Sequence, residues 1–113
     1  MKEYNVKVTR QAYEHLSNIK RYIQYELSAP EAAANMVKML KKAVKSLAFM
    51  PSRIKLTDEE PWHSENIRRM HVRNFFIYFW IDEANSIVHI IAVIYAALDQ
   101  KTIFESIETE EYK

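Results

Sequence analysis

The chain contains the run FFIYFWI at residues 75–81 and, after a five-residue break, the run IVHIIAVIY at residues 87–95. Both runs are rich in β-branched and aromatic residues, which favours strands at these lengths. The second run is apolar on both faces apart from His89, a pattern typical of an inner strand. The unbroken aromatic run predicts a strand that is covered on both sides. A base-stacking platform for nucleic acid is the alternative.

A third strand-like run, residues 67–72, precedes these two, and the linkers between the three runs are short. Linkers of two and five residues predict an antiparallel meander. The chain has no glycine. We therefore expect Asn74 and Asn85 to take the left-handed turn positions that glycine ordinarily fills.

The amino-terminal segment predicts a short strand followed by a helix. Tyr4, Val6 and Val8 alternate with polar residues, which indicates a half-buried strand that ends at Thr9. Apolar residues then recur every three or four positions, which predicts a helix over residues 10–27 with Thr9 as its N-cap.

A second helix is predicted to begin at Ser28, which is followed by Pro30 and Glu31 at the spacing of a capping box, and to end near Pro51. Because only two or three residues separate the two helices, they must form an antiparallel hairpin. Residues 52–65 show little periodicity and predict an irregular segment in which Trp62 reaches the core.

The predicted order is β-α-α-β-β-β, with a short terminal helix beginning at Asp99. Runs of helices followed by runs of strands indicate an α+β fold, in which the helical hairpin packs on one face of a curved, mainly antiparallel sheet. A length of 113 residues allows one domain, residues 1–113. The other face of the sheet is then available for function.

Composition excludes several classes of site. The chain has no cysteine, which removes disulfides, thiol catalysis and thiolate zinc sites. Without glycine, neither a P-loop nor a dinucleotide-binding loop can form. His63, His71 and His89 lack close ligand spacing, so no metal and no cofactor are expected. No apolar run approaches a membrane span and no secretory leader is recognised, so we expect a cytoplasmic protein without a membrane partner.

Charge is distributed unevenly along the chain. Residues 1–57 carry eleven basic and four acidic side chains, whereas residues 58–113 carry five basic and eleven acidic ones. The two halves either form solvated faces that attract each other, or the basic half meets an acidic partner. The second predicted helix also carries a stripe of lysines, which is either a solubilising face or a nucleic-acid surface. These lysines are Lys38, Lys41, Lys42 and Lys45.

Four strings, in this order and spacing, carry a resemblance to a known family: YNVKVT at residues 4–9, ENIRR at residues 65–69, FFIYFWID at residues 75–82, and VIY at residues 93–95 with Asp99. The second string is similar to the short E-[IL]-R string of the RelE/ParE superfamily, and the whole chain resembles those toxins of bacterial type II toxin–antitoxin modules. The resemblance implies growth arrest, plasmid stabilisation and neutralisation by a cognate antitoxin.

The chain departs from the ribosome-dependent mRNA endonucleases of that superfamily. Their chemistry needs cations near the scissile phosphate and two groups that move protons. Where relatives carry a basic residue, this chain reads FFIYFW, and the paired arginines that many relatives have near the end of the last strand are missing here, where residues 95–99 read YAALD. The missing basic residues favour the ParE-like branch of the superfamily. Resemblance to that branch implies a non-enzymatic inhibitor of DNA gyrase.

Two alternatives stay open. One is a metal-independent endoribonuclease that acts on mRNA at the ribosome, and the other is a degenerate toxin that only binds its antitoxin. For the nuclease, Arg68 and Arg73 are candidate phosphate binders, His71 is a candidate proton handler and Tyr95 is a weaker acid. Arg69 is a further candidate phosphate binder, and Glu65 is a further candidate proton handler. Arg68 could instead fix the strand end by pairing with a carboxylate, Glu65 or Asp99.

Overall fold

The computed structural model describes residues 2–96 and contains four strands and two α-helices. In chain order these are β1 (Asn5–Val8), α1 (Arg10–Arg21), α2 (Pro30–Ser46), β2 (Arg68–Val72), β3 (Phe75–Asp82) and β4 (Ile87–Tyr95). A π-helical turn, Tyr22–Glu26, extends α1, and a 3-10 turn, Pro51–Arg53, follows α2. The terminal helix predicted from Asp99 lies outside the described residues.

The four strands form one sheet in the order β1-β4-β3-β2. Strands β2, β3 and β4 pair antiparallel, whereas β1 lies parallel to β4. The predicted meander is therefore confirmed, and β4 is the inner strand that its two apolar faces indicated. Within residues 2–96, no helix is both long enough and apolar enough to cross a bilayer.

The helical hairpin packs on one face of the sheet and confirms the α+β class. The core on this side joins both helices to alternate strand residues, and its fully buried members include Leu40, Leu47, Ile77, Phe79 and Ile90. A second apolar cluster lies on the opposite face, which we call the reverse face. It consists of Trp62, Ile67, Tyr78, Ile91, Ala92 and Ile94, with Phe76 and Trp80 packed against it.

A β-bulge interrupts the pairing of β3 with β4. Tyr78 pairs with Ala92 and Phe79 pairs with Ile90, so Ile91 is an extra residue in β4. Ile91 and Ala92 both belong to the reverse-face cluster, as expected for a bulge that places two consecutive side chains opposite one. The bulge therefore changes which face every later residue of β4 occupies.

Helix α1 supplies hydrogen bonds to β4 where β1 has ended. The Gln11 side-chain amide donates to the Ile91 carbonyl at 2.8 Å, and the Val93 N–H donates to Nδ1 of His15 at 3.2 Å. Buried main-chain groups need such partners. Gln11 is itself buried, which makes it a structural residue that polarity alone would have placed on the surface.

Substitution of Gln11 by alanine is expected to lower the free energy of unfolding by about 1–3 kcal/mol, because the Ile91 carbonyl then stays buried without its donor. Chemical denaturation of both proteins measures the difference. Asn18→Ala, an exposed position on the same helix, serves as the matched control. Equal small losses in the two variants would contradict a structural role for the Gln11 amide.

The helix ends differ in part from their predictions. Thr9 is the N-cap of α1 and accepts from the Ala12 N–H at 3.2 Å, as predicted. Ser28 does not cap α2: the N-cap is Ala29, without a side-chain hydrogen bond, and Ser28 has a left-handed φ of 49°. The π-helical turn widens the end of α1, so the link to Pro30 must reverse direction sharply and Ser28 takes that conformation.

Within residues 2–96, left-handed backbone occurs at five residues, each of which carries a Cβ atom: Ser28, Met50, Asn66, Arg73 and Ser86. The expectation for Asn74 and Asn85 is wrong, because the neighbouring Arg73 and Ser86 adopt these conformations. The Asn85 side chain instead donates to the Asp82 carboxylate at 2.9 Å. An asparagine can stabilise a turn through its side chain as well as through its backbone, and composition does not distinguish the two uses.

Candidate functional surface

The reverse face brings together the polar and aromatic side chains that alternate with the core residues of the strands. Strand pairing places Arg69 opposite Tyr78, His71 opposite Phe76, and Trp80 opposite His89. Lys7 of β1 pairs with His89 on the other side. Because alternate residues of a strand share a face, these side chains form rows across the sheet.

Residues 57–67, which lie between the 3-10 turn and β2 and which we call the covering segment, pack over the centre of this face. Trp62 retains 9% exposure and Ile67 none, and both pack on the reverse-face cluster. The segment is fixed by the Thr57 N–H, which donates to the Ile67 carbonyl at 2.9 Å, and by a contact of 2.8 Å between His63 Nδ1 and the Thr57 carbonyl. The predicted anchor Trp62 and an intramolecular cover are confirmed.

One flank of the reverse face lies beside β2. The Arg69 guanidinium stands 4.3 Å from the Phe76 ring centroid, and the His71 ring lies 4.9 Å from the same ring. Burial raises the pKa of the Tyr78 phenol, and the hydrogen bond with Arg69 opposes that increase. This flank therefore combines a guanidinium, an exposed imidazole and aromatic rings, a set that could contact phosphate or an acidic side chain.

The other flank lies where β3 pairs with β4, on the side of the sheet nearer to β1. The rings of Trp80 and His89 stack with centroids 4.8 Å apart and an interplanar angle of 13°. His89 Nε2 is 4.0 Å from the Asp82 carboxylate. Burial lowers the pKa of His89, although Asp82 opposes this decrease. The Asn85 side-chain hydrogen bond lowers the pKa of Asp82, so this carboxylate stays charged beside a mainly neutral imidazole.

The folded chain should lose stability through His89 as the pH falls below about 6.5, the ordinary histidine value, because the unfolded chain then binds a proton that the folded site resists. Urea denaturation at about pH 7.5 and about pH 5.5 measures this change in wild type and His89→Gln. The variant should lose less stability between the two values. An equal loss in both proteins would contradict the effect.

The nuclease candidates lie on both faces of the sheet. Arg68 is on the helix side of β2 and donates to the carbonyls of Ile54 at 2.5 Å and Ser52 at 3.4 Å. Among its described partners there is no carboxylate. These bonds hold the segment after the 3-10 turn against the sheet, which is a structural role for the arginine of the ENIRR string.

The remaining candidates are separated from Arg68. Tyr95 lies opposite Phe75, also on the helix side, with ring centroids 5.5 Å apart. Arg68 on β2 pairs with Phe79, and Tyr95 on β4 pairs with Phe75. Because these two partners are four residues apart on β3, Arg68 and Tyr95 are offset by roughly 13 Å along the strand direction. His71 is on the reverse face, and Arg73 is exposed in the β2–β3 turn. The structure does not bring the four together, and their catalytic roles stay predictions.

Glu65 lies half-buried in the covering segment. Sequence patterns do not predict the hydrogen bonds of Gln11 and His15 to β4, the position of Arg69 over the Phe76 ring, or the stacking of Trp80 on His89. Strand alternation gives a signal for Arg69, because it shares the parity of His71. Nothing in the local sequence reveals the bonds of Gln11, which depend on the length of β1.

Solved structures show the same fold. The toxin–antitoxin system ParDE of P. aeruginosa aligns with a TM-score of 0.69 and 20% identity over 84% of this chain and 98% of that chain. The RelBE2 complex of Mycobacterium tuberculosis gives 0.57 and 20% over 82% and 98%. The isolated E. coli RelE toxin gives 0.58 and 12% over 90% and 94%. The architecture is that of the RelE/ParE toxins.

Residues 6–99 match the family described as the ParE toxin of the type II toxin–antitoxin system parDE. The chain belongs to this family and is the toxin component of a type II toxin–antitoxin system. A comparison with curated proteins gave no significant match.

Proposed function

We propose that the chain arrests bacterial growth by a non-enzymatic, ParE-like action on DNA gyrase, and that a cognate antitoxin neutralises it in the cytoplasm. The supporting observation is the separation of Arg68 and Tyr95 from His71 onto opposite faces of the sheet. Attack of a ribose hydroxyl on phosphate needs its cation and proton-transfer groups within reach of one atom. Such a separation favours action by binding.

The family match supports the choice of target, because the family is that of ParE toxins. In the proposed role the toxin belongs to a two-gene module of the kind that stabilises a plasmid or acts from the chromosome. The antitoxin partner is supported by the solved ParDE and RelBE systems.

Purified toxin should inhibit supercoiling of relaxed plasmid by DNA gyrase, and addition of the antitoxin should restore supercoiling. Induced expression should stop growth with filamentation and a DNA-damage response, while transcripts stay intact. Growth arrest with cleavage of mRNA at ribosomes would contradict the gyrase proposal. Harmless expression in a sensitive host would contradict any toxic action.

A second candidate function is mRNA cleavage, favoured by the exposed His71 beside Arg69 on the reverse face. If this flank is catalytic, the double variant R69A/H71A should abolish transcript cleavage, whereas Arg68→Ala should not. The gyrase proposal instead expects no transcript cleavage by the wild type or by either variant. RNA sequencing after induction distinguishes the two functions.

A further inference from the structure

Helix α2 presents a row of lysines on its outer surface. Lys38, Lys42 and Lys45 are spaced by four and three residues, which places them on one helix face, and Lys41 lies beside them. All four side chains are exposed. Glu31, in the first turn, is the one acidic residue of α2. Within residues 2–96, no hydrogen bond or ion pair joins these lysines to another side chain.

Two large apolar side chains follow the lysines at the end of α2. The chain leaves the helix in tight turns, in which the Leu47 N–H donates to the Val44 carbonyl and the Phe49 N–H donates to the Ser46 carbonyl. Phe49 is 47% exposed and Met50 is 57% exposed. Exposed apolar groups beside one another are a common feature of protein-binding surfaces.

The backbone that carries this apolar pair is held firmly. The Arg53 guanidinium donates to the carbonyls of Phe49 at 2.6 Å and Met50 at 3.1 Å, and to the Ser46 hydroxyl at 3.2 Å. The Phe49 backbone also forms an isolated antiparallel β-bridge with Glu3, next to β1. Met50 has the left-handed conformation, φ 48° and ψ 53°, which is unfavourable for a residue with a Cβ atom. A fixed surface loses little freedom when it binds.

We propose that these six residues, Lys38, Lys41, Lys42, Lys45, Phe49 and Met50, form a docking surface for an acidic segment of the antitoxin. The segment would place carboxylates along the lysines and a large apolar side chain against Phe49 and Met50. The assignment to the antitoxin rests on the proposed function. The two exposed apolar groups favour a protein over nucleic acid, whose phosphates they cannot contact favourably.

Charge also disfavours a second copy of the chain that would dock through the same surface. Pairing two copies of this surface would bring eight ammonium groups together, and like charges in one interface disfavour association. Carboxylates on a partner would have the opposite effect. They would accelerate association and make it sensitive to salt.

The test measures binding of the purified antitoxin to the full-length toxin by calorimetry at about 50 mM and about 300 mM salt. The variant K38E/K42E/K45E should bind about tenfold or more weakly at low salt and lose most of its salt dependence. The variant F49S/M50S should also bind about tenfold more weakly but keep the salt dependence. Matched controls are K20E/R21E/K55E for charge and Tyr25→Ser for an exposed apolar residue, and neither should change the affinity.

Several results would overturn the inference. These are unchanged affinity in both surface variants, equal losses in the controls, no binding of antitoxin to the wild type, or dimerisation that the charge reversal abolishes. Binding to duplex DNA that is lost in the charge-reversed variant, with antitoxin affinity intact, would assign the surface to nucleic acid. If K38E/K42E/K45E has a lowered melting temperature but an unchanged affinity for the antitoxin, the lysines would instead be partners of the acidic side chains within residues 97–113 of the chain itself.

Failure of the proposed function gives a different result. If the wild type binds antitoxin through these six residues but does not inhibit gyrase, the gyrase proposal fails and the docking surface stands. If gyrase is inhibited and the surface variants bind antitoxin normally, the docking surface fails and the proposed function stands.

Discussion

Trp62→Ala is expected to lower the free energy of unfolding by about 3–5 kcal/mol, the range observed for truncation of a large buried aromatic side chain. Trp62 retains 9% exposure and packs with Tyr78 and Ile94 in the reverse-face cluster. Removing the indole leaves a cavity between the covering segment and the sheet. Small domains have a total stability of about 5–15 kcal/mol. A loss of this size is therefore expected to leave a large fraction of the Trp62→Ala molecules unfolded at growth temperature.

Chemical denaturation measures the Trp62 effect, and the second tryptophan, Trp80, provides a fluorescence signal in the variant. Tyr25→Ala is the matched control, since Tyr25 is 68% exposed and its loss should change stability by less than about 0.5 kcal/mol. A loss below about 1 kcal/mol for Trp62→Ala would mean that the covering segment is not held by this residue. A Trp62→Phe variant should recover part of the lost stability.

Arg68→Ala is expected to lower the free energy of unfolding by about 1.5–3 kcal/mol, because two backbone carbonyls lose a charged hydrogen-bond donor. The toxic action should persist once the variant is folded, since the proposed role of Arg68 is structural. Denaturation and a supercoiling assay at reduced temperature separate the two effects.

Arg68→Lys is the informative companion variant. A lysine keeps the charge, but its ammonium is a compact point charge that does not reproduce the planar geometry in which Nη1 of Arg68 donates to both carbonyls. An intermediate stability is therefore expected, with unchanged gyrase inhibition. Loss of toxic action at full stability would contradict the structural role and return Arg68 to the list of functional residues. The exposed Arg73 at the hairpin turn offers a control, because Arg73→Ala should leave stability nearly unchanged.

The sequence was sufficient to predict the order of strands and helices, because each depends on a strong local pattern. Alternation located β1, and the three apolar runs located β2 to β4 within one residue at each end. The helix stripe located α1, but its last turns are π-helical. Helix α2 ends at Ser46, five residues before Pro51. The Arg53 side chain binds the carbonyls of Phe49 and Met50 beyond the helix end, and this contact is not visible in the local pattern.

The candidate site was less predictable because it depends on strand register. Arg68 and His71 are three residues apart, so alternation already places them on different faces. Tyr95 and His89 are six residues apart and would share a face in a regular strand. The bulge at Ile91 reverses this relation and places Tyr95 on the helix side. A bulge is stabilised here by distant groups on α1, and local patterns carry no information about them.

The five left-handed residues have a consequence for the energetics of a chain without glycine. Each carries a Cβ atom in a conformation that costs about 1–2 kcal/mol. The same Cβ atoms restrict the denatured ensemble, which lowers the entropy that folding must remove. Glycine at Arg73 or Ser86 would relax the native bend by more than it would enlarge the denatured ensemble, so a small net gain in stability is expected. The two hairpin bends therefore form against the local preference of the backbone, and the strand pairing on either side must supply the energy that holds them.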